Sequence, residues 1–184
     1  IYSPDSGILE AEHCMEAAIL AAQKYKVLIR EQSRVVNIES GRSGTVLVKM
    51  SSGEVYCTQK LVIAAGPWMP NILKRLGVKL PLRISQEQTV YFTPLRNAEL
   101  FTLENFPVWE WEGMDEFIYG FPMFEKEGIK IAFHSDGRYL KNLGEFRHTP
   151  RENVTQRLRE FINKNLPDAA GEVFDEMTCL YTNT

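Results

Sequence analysis

The chain has 184 residues, 44% of them hydrophobic and 24% charged, with a formal net charge of −3. That balance suits one sizeable folded core or two small ones and offers nucleic acid no basic surface. No apolar run approaches the ~18 residues of a membrane-spanning helix. Three widely spaced cysteines, Cys14, Cys57 and Cys179, fit neither a disulfide framework nor a metal site, which favours a reducing compartment. The chain opens on Ile1 with no signal peptide and stops a few residues after an apparent strand. It therefore reads as a piece of a longer polypeptide.

Ser6 and Gly7 lead into an amphipathic helix. Ala11, Cys14, Met15, Ala18, Ala22 and Tyr25 recur at helical spacing, an alanine-rich face suited to packing on a sheet. Val27 to Arg30 reads as a strand, and Arg34 to Ile38 as its continuation or neighbour. Thr45 to Met50 and Glu54 to Thr58, joined by Ser51-Ser52-Gly53, read as a hairpin. The hairpin delivers the chain into LVIAAGPWMP, residues 61–70. Leu61, Val62 and Ile63 read as a short buried strand. Ala64, Ala65 and Gly66 carry almost no side chain, which suits close approach of a backbone or a flat ligand; an ordinary strand-to-helix turn looks the same. Pro67 opens a helix over Trp68 to Leu76, and Gly77 stops it.

Beyond that helix, Gln86 to Thr93, Val108 to Trp111, Phe117 to Phe121 and Gly128 to His134 read as strands with short connections, which favour antiparallel pairing. A second helix follows, with Thr149 as cap, Pro150 in the first position and Glu152 completing a capping box. Its buried stripe is Val154, Leu158, Phe161, Ile162 and Leu166. Glu172 to Thr182 is a last strand.

The most informative strand is GIKIAFH, residues 128–134. Alternation puts Ile129, Ile131 and Phe133 on a core face and Lys130, Ala132 and His134 on the other. Lys130 and His134 stand ~13 Å apart, at about 3.3 Å per residue. They flank either a planar ligand lying across Ala132 or simply water. Tyr119 and Phe121 share a face of the neighbouring strand, and Trp109 and Trp111 either line the same region or belong to the core. Cys179 and Tyr181 point the same way on the last strand. A lone cysteine is more often a small buried hydrophobe than a reactive group. A basic neighbour such as Lys130 would favour reactivity.

Four motifs stand in order: IAAGPW, YGFP, G-x-K-x-x-x-H with Lys130 and His134, and Cys-x-Tyr-Thr at Cys179. With the SGILEAEHC opening, the chain resembles the monomeric sarcosine oxidase and N-methyltryptophan oxidase family of flavoproteins, within the wider D-amino-acid-oxidase-like group, over nearly its whole length. The resemblance implies oxidation of a secondary or N-methylated amino acid by hydride transfer to FAD, with O₂ as the second substrate and hydrogen peroxide as product. It implies that Cys179 carries the flavin through a thioether and that Lys130 activates oxygen. It places His134, Tyr119 and Tyr181 around the substrate, and Val35, Ala65, Gly66 and Trp68 against the cofactor. It also implies the fold class: α+β, a largely antiparallel sheet with helices on one face, beside strands of an incomplete FAD domain. On that reading residues 1–78 belong to the FAD domain, 79–170 form the substrate-binding sheet, and 171–184 return to the FAD domain.

Departures from the family pattern set further expectations. No G-x-G-x-x-G follows an early strand, so this segment alone is expected neither to hold FAD tightly nor to act as an oxidase. The Trp109 to Glu116 region differs from sarcosine oxidases, which leaves glycine, pipecolate or a glycated amino acid as alternative substrates. A non-catalytic α+β binding module is the alternative of another class. The expected location is cytoplasmic, or peroxisomal in a eukaryote, with no membrane or nucleic-acid partner.

Overall fold

The computed structural model describes residues 3–114 and 116–184; Asp115, inside the divergent Trp109 to Glu116 region, lies outside the described residues. The chain forms two compact units, Ile1–Ala64 with Asn71–Lys79, and Ala65–Pro70 with Leu80–Thr184. No described helix is long and apolar enough to cross a membrane.

In the first unit, α1 (Ala11–Lys24) precedes β1 (Val35–Ser40), β2 (Val46–Met50) and β3 (Val55–Thr58), which pair antiparallel in that order. The predicted hairpin forms, and Gly53 supplies the left-handed φ of +92° at its turn. Two strand expectations fail. Neither Val27 to Arg30 nor Leu61 to Ile63 forms a strand, and Val62 is 89% exposed. A strand exists only where a neighbour takes up its backbone donors and acceptors, and neither segment has a ladder partner among the described residues. The apolar face of α1 is likewise uncovered within this unit, with Met15 and Tyr25 exposed. Pro67 begins a 3₁₀ turn, Gly66–Trp68, that runs into α2 (Met69–Arg75), and Gly77 ends it at φ +71° as its sequence position predicts.

The second unit is built on β4 (Arg83–Phe92). β5 (Trp109–Glu112), β6 (Phe117–Phe121) and β7 (Ile129–Phe133) lead up to it in antiparallel order β5-β6-β7-β4. β7 and the short β8 (Arg138–Leu140) share one edge of β4. β9 (Val173–Asn183) takes the other edge over its full length. Within this chain, 171–184 therefore contributes a strand to the second unit's own sheet.

α3 (Glu152–Asn165) covers one face of the sheet. Its predicted stripe, Val154, Leu158, Phe161 and Ile162, packs on Val90, Phe92, Ile118, Ile129, Ile131 and Phe133, most of them fully buried. The expected capping box does not form: the helix starts at Glu152, and Arg151 is its N-cap without a side-chain bond. Gln88 holds the lead-in instead, its Oε1 accepting from the Arg151 amide (2.7 Å) and its Nε2 donating to the Arg151 carbonyl (3.3 Å). Gln86 grips Arg147 in the same two-way manner, at 2.9 and 3.0 Å. These amides imitate a backbone pair, so two polar side chains are buried at little cost.

Candidate active site

The face of the sheet turned away from α3 collects the residues with chemistry. Pairing fixes its rows. Tyr119 on β6 lies beside Ala132 on β7, which lies beside Thr89 on β4 and then Met177 on β9. Phe121, Lys130, Tyr91 and Asp175 form the next row. Glu87 lies opposite Cys179, and Ser85 opposite Tyr181. The Phe117 ring meets the His134 ring edge-on at 4.9 Å. Five residues singled out in the sequence, Lys130, His134, Tyr119, Tyr181 and Cys179, thus share one face. Ala65, Gly66 and Trp68 belong to the turn that packs against β9. Val35 lies on β1 of the first unit, 40% exposed. Trp109 and Trp111 are on the opposite side: Trp109 lies flat over Gly120 and stacks on Phe161 at 6.0 Å, and Trp111 meets the same ring edge-on at 5.1 Å. Neither lies on the Lys130 face: Trp109 packs against the core, and Trp111 stays 42% exposed on that side.

The Lys130 side chain is half-buried, with its ammonium 4.8 Å from the centre of the Phe121 ring. Desolvation lowers its pKa below the ordinary lysine value, Cys179 pulls it back up, and Lys126 adds to the lowering. Tyr119 is held far above the ordinary tyrosine value by desolvation, with Tyr181, Cys179 and Glu87 adding to the effect, so it serves as a neutral donor. Cys179 is exposed at the surface, yet partial desolvation against the sheet and the Glu87 carboxylate push its pKa up, and Lys130 pulls it down. The basic neighbour expected from the sequence is present but outweighed.

A polar hollow of about 310 Å³ opens beside His134 and Ser135. Arg157 from α3 lines it, donating to Glu116 (2.9 Å) and Asp136 (2.6 Å) and lying over the Phe133 ring at 4.1 Å. Both carboxylates of this cluster neutralise the guanidinium.

Sequence reasoning missed Glu87. It lies in the predicted strand Gln86 to Thr93, within a polar run, Ser85-Gln86-Glu87-Gln88-Thr89, whose composition singles out no member, yet every member is buried. The signal that could have found it is the framing of that run by Ile84, Val90 and Phe92, all core residues.

A family model described as FAD dependent oxidoreductase matches residues 1–184, the whole chain. The chain belongs to the FAD-dependent oxidoreductase family. Within that family it is 30% identical to a monomeric sarcosine oxidase of Bacillus sp. (strain NS-129), over 100% of this chain and 47% of that protein. It is 29% identical to the human peroxisomal sarcosine oxidase, over 97% of this chain and 46% of that protein. The chain thus spans about half the length of the relatives it matches. The fold resembles that of NikD, an unusual amino acid oxidase essential for nikkomycin biosynthesis, in its open form. The TM-score is 0.76 at 18% identity, covering 93% of this chain and 44% of that structure. The chemistry of the sheet face suits one end of FAD, with a half-buried cation, two phenols and a thiol on it; Ala132 itself is covered by its neighbours at 1% exposure, so the open surface lies around it and not over it. The chain contains no G-x-G-x-x-G loop for the pyrophosphate.

Proposed function

We propose that this chain supplies the substrate-facing sheet of a flavin-dependent amine oxidase that acts on a secondary or N-methyl amino acid and gives hydrogen peroxide. The observation that carries this reading is the convergence of Lys130, His134, Tyr119, Tyr181 and Cys179, from three strands, on one sheet face. Bound FAD would accept the hydride and pass the electrons to O₂. Lys130 holds a cation where negative charge develops on oxygen. Tyr119, kept neutral, donates hydrogen bonds, and with Tyr181 and His134 it orients the amino acid. Ala65, Gly66 and Trp68 are the contacts assigned to the cofactor in this unit. Cys179 is the assigned covalent tether.

The test is an absorption spectrum of the full-length protein before and after acid precipitation, together with peroxide release from sarcosine, N-methyl amino acids, proline and glycine. A flavin spectrum with peroxide release from the secondary amines is the expected result. A colourless protein that releases no peroxide would leave the non-catalytic binding module as the better reading. The tether is checked separately. Flavin should stay in the acid precipitate of the wild type, and a Cys179 peptide should carry the added mass. Cys179→Ser should move essentially all flavin to the supernatant while the far-UV circular dichroism is unchanged. Flavin in the supernatant of the wild type would place the protein in the non-covalent branch.

A further inference from the structure

Glu87 is 5% exposed, and its Cα is paired directly with that of Cys179 across β4 and β9. The two side chains stand on the same face. Its carboxylate accepts from the Ser85 hydroxyl, which in turn accepts from Asn183 Nδ2 at 3.0 Å. Gly137 leaves room for it: a Cβ there would sit 2.3 Å from Glu87 Cδ. A hydrogen-bond chain and a side-chain-free position thus hold the carboxylate in place. Buried carboxylates are ordinarily matched by a cation, yet Glu87 forms no ion pair among the described residues. The titratable groups that face Cys179 are Glu87 from β4, Lys130 from β7, Tyr119 from β6 and Tyr181 from its own strand; the 65–70 turn packed on β9 brings none.

We propose that Glu87 is a positioning residue for Cys179, whose fixed carboxylate keeps the sulfur protonated against the pull of Lys130 and so limits when it acts as a nucleophile. The physical reason is simple charge repulsion: ionising the thiol would place a second anion on the same sheet face and in the same cross-strand pair as a carboxylate that forms no ion pair among the described residues. The raised pKa of Cys179 agrees with this arrangement. The inference deepens the reading of Cys179 as the flavin tether and rests on it for its purpose, but the thiol chemistry is testable with no flavin present.

The experiment uses full-length protein from riboflavin-starved cells, alkylated with iodoacetamide across a pH series and read by mass spectrometry at each cysteine. In this reaction the thiol proton goes to solvent, the S–C bond forms and iodide leaves. In the wild type, the Cys179 midpoint should lie above that of free glutathione in the same tube. Glu87→Gln should lower that midpoint by about one pH unit, a ~10-fold faster reaction near neutrality. Glu87→Asp, which keeps the charge, should stay near the wild type. Far-UV circular dichroism and the urea midpoint should be unchanged in both variants and report that the fold survives, and Cys14 and Cys57 serve as internal controls for reagent and pH. A wild-type midpoint at or below that of glutathione overturns the proposal without any variant. So does an unmoved midpoint in Glu87→Gln, or an equal shift in Gln and Asp, which would implicate packing and not charge. Adding FAD in air and measuring acid-precipitable flavin separates the two readings. If Glu87→Gln moves the alkylation midpoint but no variant retains flavin, Glu87 tunes the thiol and the tether assignment alone falls.

Discussion

On the proposed function, Lys130→Met in the full-length protein should slow reoxidation of the reduced flavin by O₂ about 100- to 1,000-fold, while reduction by the amine changes little. The asymmetry follows from where charge appears. Oxygen becomes anionic as it takes electrons, and a fixed cation in a partly dry site stabilises that charge far more than water does. Lys130 meets the geometric requirement, half-buried with its ammonium 4.8 Å from the centre of the Phe121 ring. Its pKa is lowered by desolvation, which sets the sign of the pH dependence. In the proposed role the protonated form is the active one, so reoxidation should be fast below the Lys130 pKa and fall as pH rises through it, at a pH below that of an ordinary lysine. Stopped-flow traces in which both half-reactions slow equally, or in which reoxidation rises with pH, would remove the assigned role.

The largest expected effect on stability is at the interface of α3 with the sheet. Leu158→Ala should cost about 3 kcal/mol, because the side chain is fully buried between Ile162 and the sheet's aliphatic face and the strands cannot collapse to fill the void. Urea denaturation followed by circular dichroism should show a midpoint clearly below the wild type's. Val62→Ala is the matched control. It removes apolar atoms from a residue that is 89% exposed and should change the midpoint by no more than a few tenths of a kcal/mol equivalent. Similar shifts for the two would mean that the α3 stripe is not the unit's core.

The parts of this architecture that could be read from sequence are those where local pattern and tertiary partner agree. The sidedness of the GIKIAFH strand is legible, with Ile129, Ile131 and Phe133 buried on the core side and Lys130 half-buried on the far side, but alternation does not reveal that Ala132 beside it is covered as well. The α3 stripe is equally legible. Leu61 to Ile63 has the composition of a strand but no neighbour to pair with, and composition carries no information about neighbours. The strand over Gln86 to Thr93 is legible and forms within β4, but the burial of its polar members is not: Gln86 and Gln88 are buried against the backbone of Arg147 and Arg151, some sixty residues away. Glu87 was hidden with them, and Trp109 was placed on the core side by its stacking on Phe161, a contact no local pattern announces.

The long β4–β9 ladder also dictates an order of assembly. Asn183 donates to the Arg83 carbonyl across a separation of 100 residues. Closing so large a loop has to precede the reward of the contacts it makes, which slows folding. During synthesis β4 emerges long before β9, and until β9 arrives one edge of the sheet's central strand has no native partner. A nascent or truncated chain that lacks β9 therefore presents a ten-residue open edge, the kind of surface that recruits a second copy of itself. Removing residues 173–184 should convert a monodisperse product into one that aggregates on the ribosome or in inclusion bodies, even though that strand contributes few residues to the apolar core.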